Sequence, residues 1–242
     1  MASYGAELLD WLTTYTFPAE ARYADVSVCE IGAAHFLDAL LAHGTTSAMV
    51  FPTVHKASAD ALFAAAQQRA MRVIAGQCLM DRNAPRELTV NVDRSERDCE
   101  ALIARWHGVD RLAYAATVRF APTSTDAQLA MAGQLLQRHD GLYLQTHVAE
   151  NRAEIEWVRQ LFPDARSYLD VYAQHGLVGA RSMFAHGICL DAQDHALLAR
   201  EQAALAHCPT SNLFLGSGLM PWRALADAGV AVTMASDVGG GT

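Results

Sequence analysis

Short apolar runs alternate with longer amphipathic segments along this chain, and that alternation restricts its fold more than any other feature. Seven runs are predominantly apolar: 45–51, 71–80, 112–120, 142–149, 182–190, 203–209 and 230–236. The spacing of apolar residues predicts helices between several of them, at 58–70, 125–139, 153–162 and 191–202. Near-continuous apolar strands that alternate with helices are typical of a parallel sheet covered by helices. The sequence therefore predicts the α/β class.

Two parallel architectures compete for this pattern. A doubly wound sheet that binds nucleotides needs a glycine-rich phosphate-binding loop after its first strand, and the glycines at 216–218 and 239–241 lack that spacing. A (β/α)8 TIM-type barrel has no such requirement and places its reactive groups at the C-terminal ends of its strands. We predict this barrel, in an incomplete form, because seven strand–helix candidates are one short of closure. No linker or low-complexity tract divides the chain, so we expect a single domain over 1–242.

Composition narrows the range of partners. A chain of 242 residues with 52% hydrophobic and 18% charged residues is typical of a compact globular protein. The net charge of −8 argues against nucleic acid or an anionic membrane as the main partner. No apolar run is long enough to cross a bilayer, and the N-terminus lacks the pattern of a signal peptide. The five scattered cysteines form no CxxC pair, which predicts reduced thiols in the cytoplasm.

Polar side chains occur at the ends of successive apolar runs. They are Arg119 with Phe120, His147, His186, His207 and Asp237. A core histidine bonded to a backbone carbonyl would explain any single member of this set. Several consecutive strands that end in this way favour a shared site, because the C-terminal ends of barrel strands converge on one mouth.

The residue types at these positions favour metal-assisted hydrolysis. Imidazole nitrogens and a carboxylate oxygen suit Zn²⁺ or Fe²⁺, and a bound divalent metal brings the pKa of its water close to neutrality. Glu150 follows His147 by three residues in the stretch THVAEN, where it could protonate a departing amine. Ammonia leaves a ring carbon only after its nitrogen has gained a proton. An isolated HxxE is also commonly a helix cap beside a surface histidine, so this motif alone is weak.

Taken together, several segments resemble the guanine deaminase family of the amidohydrolase superfamily. They are LLDWLTTYTFPAEARYAD, HGTTSAMVFPTVH, AGQCLMDRNAP, VRFAPTS, THVAEN, YLDVY, FAHGICL, HCPTSNLFLGSG and SDVGGGT. The resemblance runs through nearly the whole chain and implies a metal-dependent barrel that converts guanine to xanthine and ammonia. It also implies zinc as the cofactor, with iron as the alternative, and a homodimer in the complete enzyme.

The resemblance assigns a role to each candidate residue. The metal ligands are His147, His186 and Asp237; Asp237 and Glu150 are catalytic, and Arg119 and Phe120 bind the substrate. Asp237 is implied to take a proton from the metal's water, and Glu150 to shuttle a proton to the purine ring. Arg119 is implied to contact the carbonyl oxygen, with Phe120 as an apolar wall. The segment HCPTSN is interpreted as a loop that shapes the pocket, with His207 beside the site rather than on the metal.

The sequence departs from the family pattern at both ends. The family begins with a strand that ends in His-x-His and supplies two metal ligands, and no such motif is present. The chain stops at Thr242, before the last barrel helix and the flanking β-sandwich strands of the family. We therefore interpret it as truncated at both ends, and expect the isolated 242 residues to be inactive toward guanine.

Other functions stay open at this stage. Another amidohydrolase acting on a purine, pterin or triazine ring would share most of the motifs, although Arg119 favours a ring that carries a carbonyl oxygen. A non-catalytic truncated barrel that serves as a binding module would explain the missing His-x-His. Zinc deaminases of the cytidine type are excluded, because they need His-x-Glu followed by Pro-Cys-x-x-Cys.

Overall fold

The fold is a curved parallel sheet with helices packed on its outer side. The structure, a computed structural model, describes residues 8–240. Its strands are β1 (Ser47–Val50), β2 (Arg72–Ala75), β3 (Cys78–Leu79), β4 (Leu112–Val118), β5 (Tyr143–Val148), β6 (Ser182–His186), β7 (Ala204–His207) and β8 (Ala231–Met234). Each strand lies within one of the seven predicted apolar runs, and the run 71–80 forms two strands.

Helices connect these strands. They are α1 (Leu8–Trp11), α2 (Phe17–Ala21), α3 (Val26–Ala42), α4 (Lys56–Gln68), α5 (Val92–Trp106), α6 (Asp126–Arg138), α7 (Arg152–Leu161), α8 (Tyr168–Gln174), α9 (Ala192–Arg200), α10 (Pro209–Phe214) and α11 (Trp222–Asp227), with a π-helical turn at Leu12–Thr16 between the first two. The four predicted helices correspond to α4, α6, α7 and α9. Within residues 8–240, no helix is long and apolar enough to cross a membrane.

The sheet order and its curvature are those of a TIM-type barrel. All strand pairs are parallel in the order β1-β2-β4-β5-β6-β7-β8, with β3 also paired to β4. Gln145 on β5 donates a hydrogen bond to the carbonyl of Val50 on β1, over 2.7 Å. These strands are separated by two others in the sheet, so such a contact requires the sheet to curl. In the described part of the chain, β1 and β8 are the two ends of this incomplete barrel.

A glycine interrupts the second strand without changing its register. Ala75 pairs with Tyr114 and Cys78 pairs with Thr117, so the intervening residues add no extra position. At Gly76 the chain comes so close to β4 that a Cβ would lie 1.9 Å from the carbonyl oxygen of Ala115. Only glycine allows this approach, which explains why the run 71–80 is two strands rather than one.

Two buried apolar clusters define the inner organisation. The larger lies between the sheet and its outer helices, and includes Phe63, Leu102, Tyr114 and Phe184. The smaller, here called the mouth cluster, joins the N-terminal helices to the strand ends: Leu8, Trp11, Leu12, Phe17, Val54, Cys78, Met80, Leu88, Phe120 and Leu215. The mouth cluster fixes α1 and α2 over the C-terminal ends of the strands, which is the end where a barrel carries its reactive groups.

Candidate active site

The six candidate residues line a single pocket at the C-terminal ends of the strands. Arg119 and Phe120 follow β4, His147 and His186 lie on β5 and β6, and Asp237 follows β8. The pocket is lined by Leu8, Trp11, Leu12, Arg119, Phe120, His147, Glu150, Glu154, His186, Leu215, Asp237 and Gly240. The fold therefore brings together residues that are more than 100 positions apart in the sequence.

His147 is held with one ring nitrogen available. Its Nδ1 lies 2.7 Å from the carbonyl oxygen of Arg119. A carbonyl can only accept, so Nδ1 carries the proton and the lone pair is on Nε2. Burial, with the neighbouring His186 and Arg119, holds the pKa of His147 well below its ordinary value, so the ring is neutral. A neutral imidazole oriented by a backbone carbonyl is the usual form of a metal-binding histidine.

His186 and Glu150 form a buried pair that shares a proton. His186 Nδ1 donates to Asn212 Oδ1 over 2.8 Å, and its Nε2 lies 3.2 Å from the Glu150 carboxylate. Because Nδ1 already donates, this second contact requires a proton on either Nε2 or Glu150. Burial lowers the pKa of His186, but Glu150, Cys208 and Asp237 outweigh it and raise the pKa overall. Burial raises the pKa of Glu150 as well, and both shifts favour keeping one proton on the pair.

The backbone conformation of His186 decides where its ring lies. Val148 pairs with His186 and His147 pairs with Ala185, so regular alternation would place the two histidine rings on opposite faces of the sheet. His186 instead has a φ of 72°, a left-handed conformation that is costly for a residue with a Cβ. Its ring turns toward the pocket and stacks on His147 at 5.4 Å between centroids. Strained backbone of this kind is concentrated at functional sites.

Glu150 is almost fully withdrawn from water. It is 2% exposed, and Ser217 donates a hydrogen bond to its Oε1 over 3.0 Å. This hydroxyl comes from the GSG segment after α10, which lacks the spacing of a phosphate loop and ends one of the segments that resemble the family. A buried carboxyl group with a raised pKa is suited to give and take a proton near neutral pH.

A second buried carboxylate, Glu154, fixes the backbone around Glu150. Its Oε2 accepts hydrogen bonds from the amides of Glu150 and Asn151 at 3.0 and 3.1 Å, and its Oε1 accepts from the Tyr168 hydroxyl at 2.7 Å. Glu154 and Asn151 together form a capping box at the start of α7. A helix cap therefore does lie in THVAEN, but the capping residue is Asn151, and Glu150 faces the pocket instead.

We expect Glu154→Gln to remove a pH dependence of stability. Burial, followed by the Glu150 charge, raises the pKa of Glu154 to about 7. A carboxyl group with a raised pKa in the folded state stabilises fully below its unfolded pKa, and this contribution is lost as pH rises through the folded value. The free energy of unfolding of the wild type, minus that of the variant, should therefore fall by about 3 kcal/mol as the pH rises from roughly 4.5 to 7.

Urea unfolding of both proteins across this pH range measures that difference. Glu156→Gln is the matched control, because Glu156 is exposed on the same helix and forms an ion pair with the exposed Arg159. A difference between wild type and Glu154→Gln that stays constant with pH would contradict the expected titration.

Asp237 belongs to a group of three possible metal ligands, which among the described residues does not include His147. Ligand atoms of His186, Cys208 and Asp237 all lie within 4.8 Å of one another. Asp237 also has a left-handed backbone, with a φ of 49°, and a Cβ on Gly240 would lie 2.8 Å from its carboxylate. Imidazole, carboxylate and thiol groups are ligands of zinc and other transition metals, whereas magnesium and calcium prefer oxygen. The donor atoms therefore fit a transition metal.

Arg119 enters the pocket as part of a buried ion pair. Its Nη1 donates to Glu20 Oε1 on α2 over 2.6 Å. Burial lowers the pKa of Arg119, but Glu20 and Cys78 more than compensate and raise it, so the guanidinium stays charged. Phe120 is 4% exposed and meets Trp157 edge to face at 6.2 Å, which gives the pocket an apolar wall.

The segment HCPTSN is not a loop. Its residues from Pro209 onward form α10, with proline in the first turn where a helix tolerates it. The ring of His207 packs on Trp222 at 5.7 Å and lies outside the pocket lining. Cys208, the next residue, contacts the site instead. Five residues of the site were not predicted from the sequence: Cys208, Asn212, Ser217, Glu20 and Glu154. The first four lie in the segments that resemble the family, and Glu154 lies outside them.

Comparison with known proteins identifies the family of this chain. The sequence pattern of the Amidohydrolase family matches residues 2–242. The chain belongs to the amidohydrolase family. It is 46% identical over its whole length to guanine deaminase of Escherichia coli (strain K12), and it covers 55% of that protein. The chain thus spans about half the length of the curated relatives that it matches.

Solved structures of the family agree with the fold. The structure of E. coli guanine deaminase superposes with a TM-score of 0.99, covering all of this chain and 56% of the other. Guanine deaminase from C. acetobutylicum, solved with bound guanine in its active site, gives 0.95 at 33% identity, over 98% of this chain and 57% of that one. An atrazine chlorohydrolase from Arthrobacter aurescens, complexed with zinc and atraton, gives 0.85 at 21% identity, over 98% and 56%, which shows the shared fold alone.

Proposed function

We propose that the protein is a guanine deaminase, which hydrolyses guanine to xanthine and ammonia. The observation that carries this proposal is the pocket itself, where the buried Glu150 carboxyl, two histidines and Asp237 lie beside Arg119 and Phe120. Similarity to guanine deaminases at 46% and 43% identity supports the choice of substrate. In this reaction a water oxygen bonds to the ring carbon, the bond from that carbon to the amino nitrogen breaks, and ammonia leaves.

Zinc is the proposed cofactor, held by His147, His186 and Asp237. His147 would offer Nε2, since its Nδ1 is bonded to a carbonyl, and His186 would likewise offer Nε2. When bound, the metal lowers the pKa of a water molecule so that it can attack near neutral pH. The donor set supports zinc over magnesium or calcium, and iron is the alternative to be distinguished by metal analysis.

The chain's own residues supply binding and proton transfer. Arg119 donates to the ring carbonyl oxygen, and Phe120 packs against the ring. Asp237 accepts the proton that the attacking water loses. Glu150 carries a proton to the ring and then to the leaving nitrogen, a role supported by its burial and by its raised pKa. We also propose a cytoplasmic location, supported by the free thiol of the exposed Cys189.

Ammonia release from several rings tests the substrate. The protein at its full native length is assayed with guanine, adenine, cytosine and a triazine as separate substrates, and its metal content is measured in parallel. We expect guanine to have the highest kcat/KM, with near-stoichiometric zinc. Faster turnover of adenine or a triazine would contradict the substrate while leaving the family unaffected. Absence of both metal and turnover would favour a binding module.

Arg119→Lys is expected to weaken guanine binding. Lysine replaces a planar group with several fixed donors by a single flexible ammonium, so it cannot both pair with Glu20 and reach the ring oxygen. We expect kcat/KM for guanine to fall by about 10-fold or more, mainly through KM, with the metal retained. Steady-state kinetics and metal analysis measure both quantities. Arg159→Lys, at an exposed position on α7, is the matched control. A variant that loses its metal would show that Arg119 supports the ligands instead.

A further inference from the structure

The carboxylate that faces Arg119 comes from a distant part of the chain. Glu20 lies 99 residues before Arg119, and the two side chains are only 14% and 11% exposed. Removing one partner of such a buried pair leaves the other charge uncompensated, which is much more costly than breaking an ion pair at the surface. The pair therefore constrains the position of the guanidinium strongly.

The surrounding packing makes this constraint rigid. Glu20 lies on α2, and Phe17 of the same helix belongs to the mouth cluster together with Phe120, the neighbour of Arg119. Both partners are thus attached to one packed apolar unit. Glu20 is not among the residues that line the pocket, whereas Arg119 is. Any influence of Glu20 on a bound ring consequently passes through Arg119.

The hydrogen bonding of Glu20 is incomplete for a purely structural ion pair. Its Oε1 accepts from Arg119, but its Oε2 is buried and has no hydrogen-bond partner among the described residues. A carboxylate kept for stability alone is expected to have both oxygens satisfied, because each buried unpaired acceptor costs free energy.

We propose that Glu20 is a positioning residue for substrate recognition, which holds Arg119 by Nη1 so that its remaining N–H groups face a ring carbonyl in the pocket. This inference rests on the proposed function, because it assigns the ring oxygen of guanine as the group that Arg119 binds. The inference also gives Glu20 a part in substrate specificity. Since Glu20 already compensates the charge of Arg119, the pocket favours an uncharged ring with a carbonyl oxygen over an anion.

Kinetics of Glu20→Gln in the protein at its full native length test this role. Glutamine keeps the size of the side chain but removes the charge that fixes the guanidinium. We expect KM for guanine to rise by about 10-fold or more, kcat to change by less than about threefold, and metal content to stay the same. Glu20→Asp, which retains the charge on a shorter side chain, should give an intermediate KM. Glu30→Gln, at an exposed position on α3, is the matched control and should behave as wild type.

A double-mutant cycle separates positioning from a general structural effect. If Glu20 acts through Arg119, then adding Glu20→Gln to Arg119→Ala should change KM by less than about twofold. Independent contributions would instead multiply, so that the double variant would have the product of the two single losses, and this would overturn the inference.

The remaining outcomes are also decisive. An unchanged KM in Glu20→Gln overturns the inference while the proposed function stands. If Glu20→Gln does not fold, Glu20→Asp decides: a raised KM at a normal melting temperature supports the inference, and a wild-type KM overturns it. A wild-type protein that releases no ammonia from guanine overturns the proposed function, and with it the inference that depends on it.

Discussion

Glu150→Gln is expected to lower kcat for guanine by at least about 10²-fold while the metal stays bound. Glutamine has nearly the same size and can still accept the hydrogen bond from Ser217, so the pocket should keep its shape. It cannot give up or take a proton, however. Both the ring and the leaving nitrogen would then lack a donor.

Steady-state kinetics with metal analysis on the same preparation measure this effect. Glu156→Gln, six residues further along the chain and exposed on α7, is the matched control and should retain wild-type turnover. Loss of the metal in Glu150→Gln would show that Glu150 is a ligand rather than a proton carrier. Near-normal turnover with the metal bound would mean that another group supplies the proton.

Gly76→Ala is expected to destabilise the fold by about 3 kcal/mol or more. The added methyl group would lie 1.9 Å from the carbonyl oxygen of Ala115 and 3.0 Å from Thr117 Oγ1. The nearest atom belongs to the backbone of the fully buried β4, which cannot move aside as a flexible side chain would. The clash can be relieved only if β2 and β3 move away from β4. That movement would break the pairing of β3 with β4, which places Cys78 beside Arg119.

Chemical denaturation of the variant measures this loss. Gly179→Ala is a suitable control, because a Cβ there meets no atom within 4 Å and its φ is not in the left-handed region. We expect the control to change the free energy of unfolding by less than about 0.5 kcal/mol. Equal stabilities of the two variants would mean that the β4 backbone can shift to accommodate the methyl group despite its burial.

Much of the fold was predictable because it depends on local spacing. The apolar runs and amphipathic segments correspond to strands and helices whose positions follow from the side-chain periodicity of each element. The break at Gly76 was not predictable in this way. A single glycine in an apolar run is compatible with a continuous strand, and only the close approach of β4 makes it necessary there.

The sequence by itself determined which residues end each strand. Arg119, His147, His186 and Asp237 occupy those ends because the covalent spacing of the runs places them there, and a parallel barrel brings all such ends to one mouth. The THVAEN segment likewise determined that a carboxylate would follow a histidine at the start of a helix. These features require no knowledge of distant contacts.

Only the tertiary structure decided how these groups are oriented and paired. Strand alternation would have directed His186 away from His147, and its left-handed backbone, maintained by the surrounding packing, turns it back into the pocket. The Glu20–Arg119 ion pair likewise joins segments 99 residues apart. Local periodicity carries no information about such contacts, because their free energies depend on burial and distance between residues that meet only after the chain has folded.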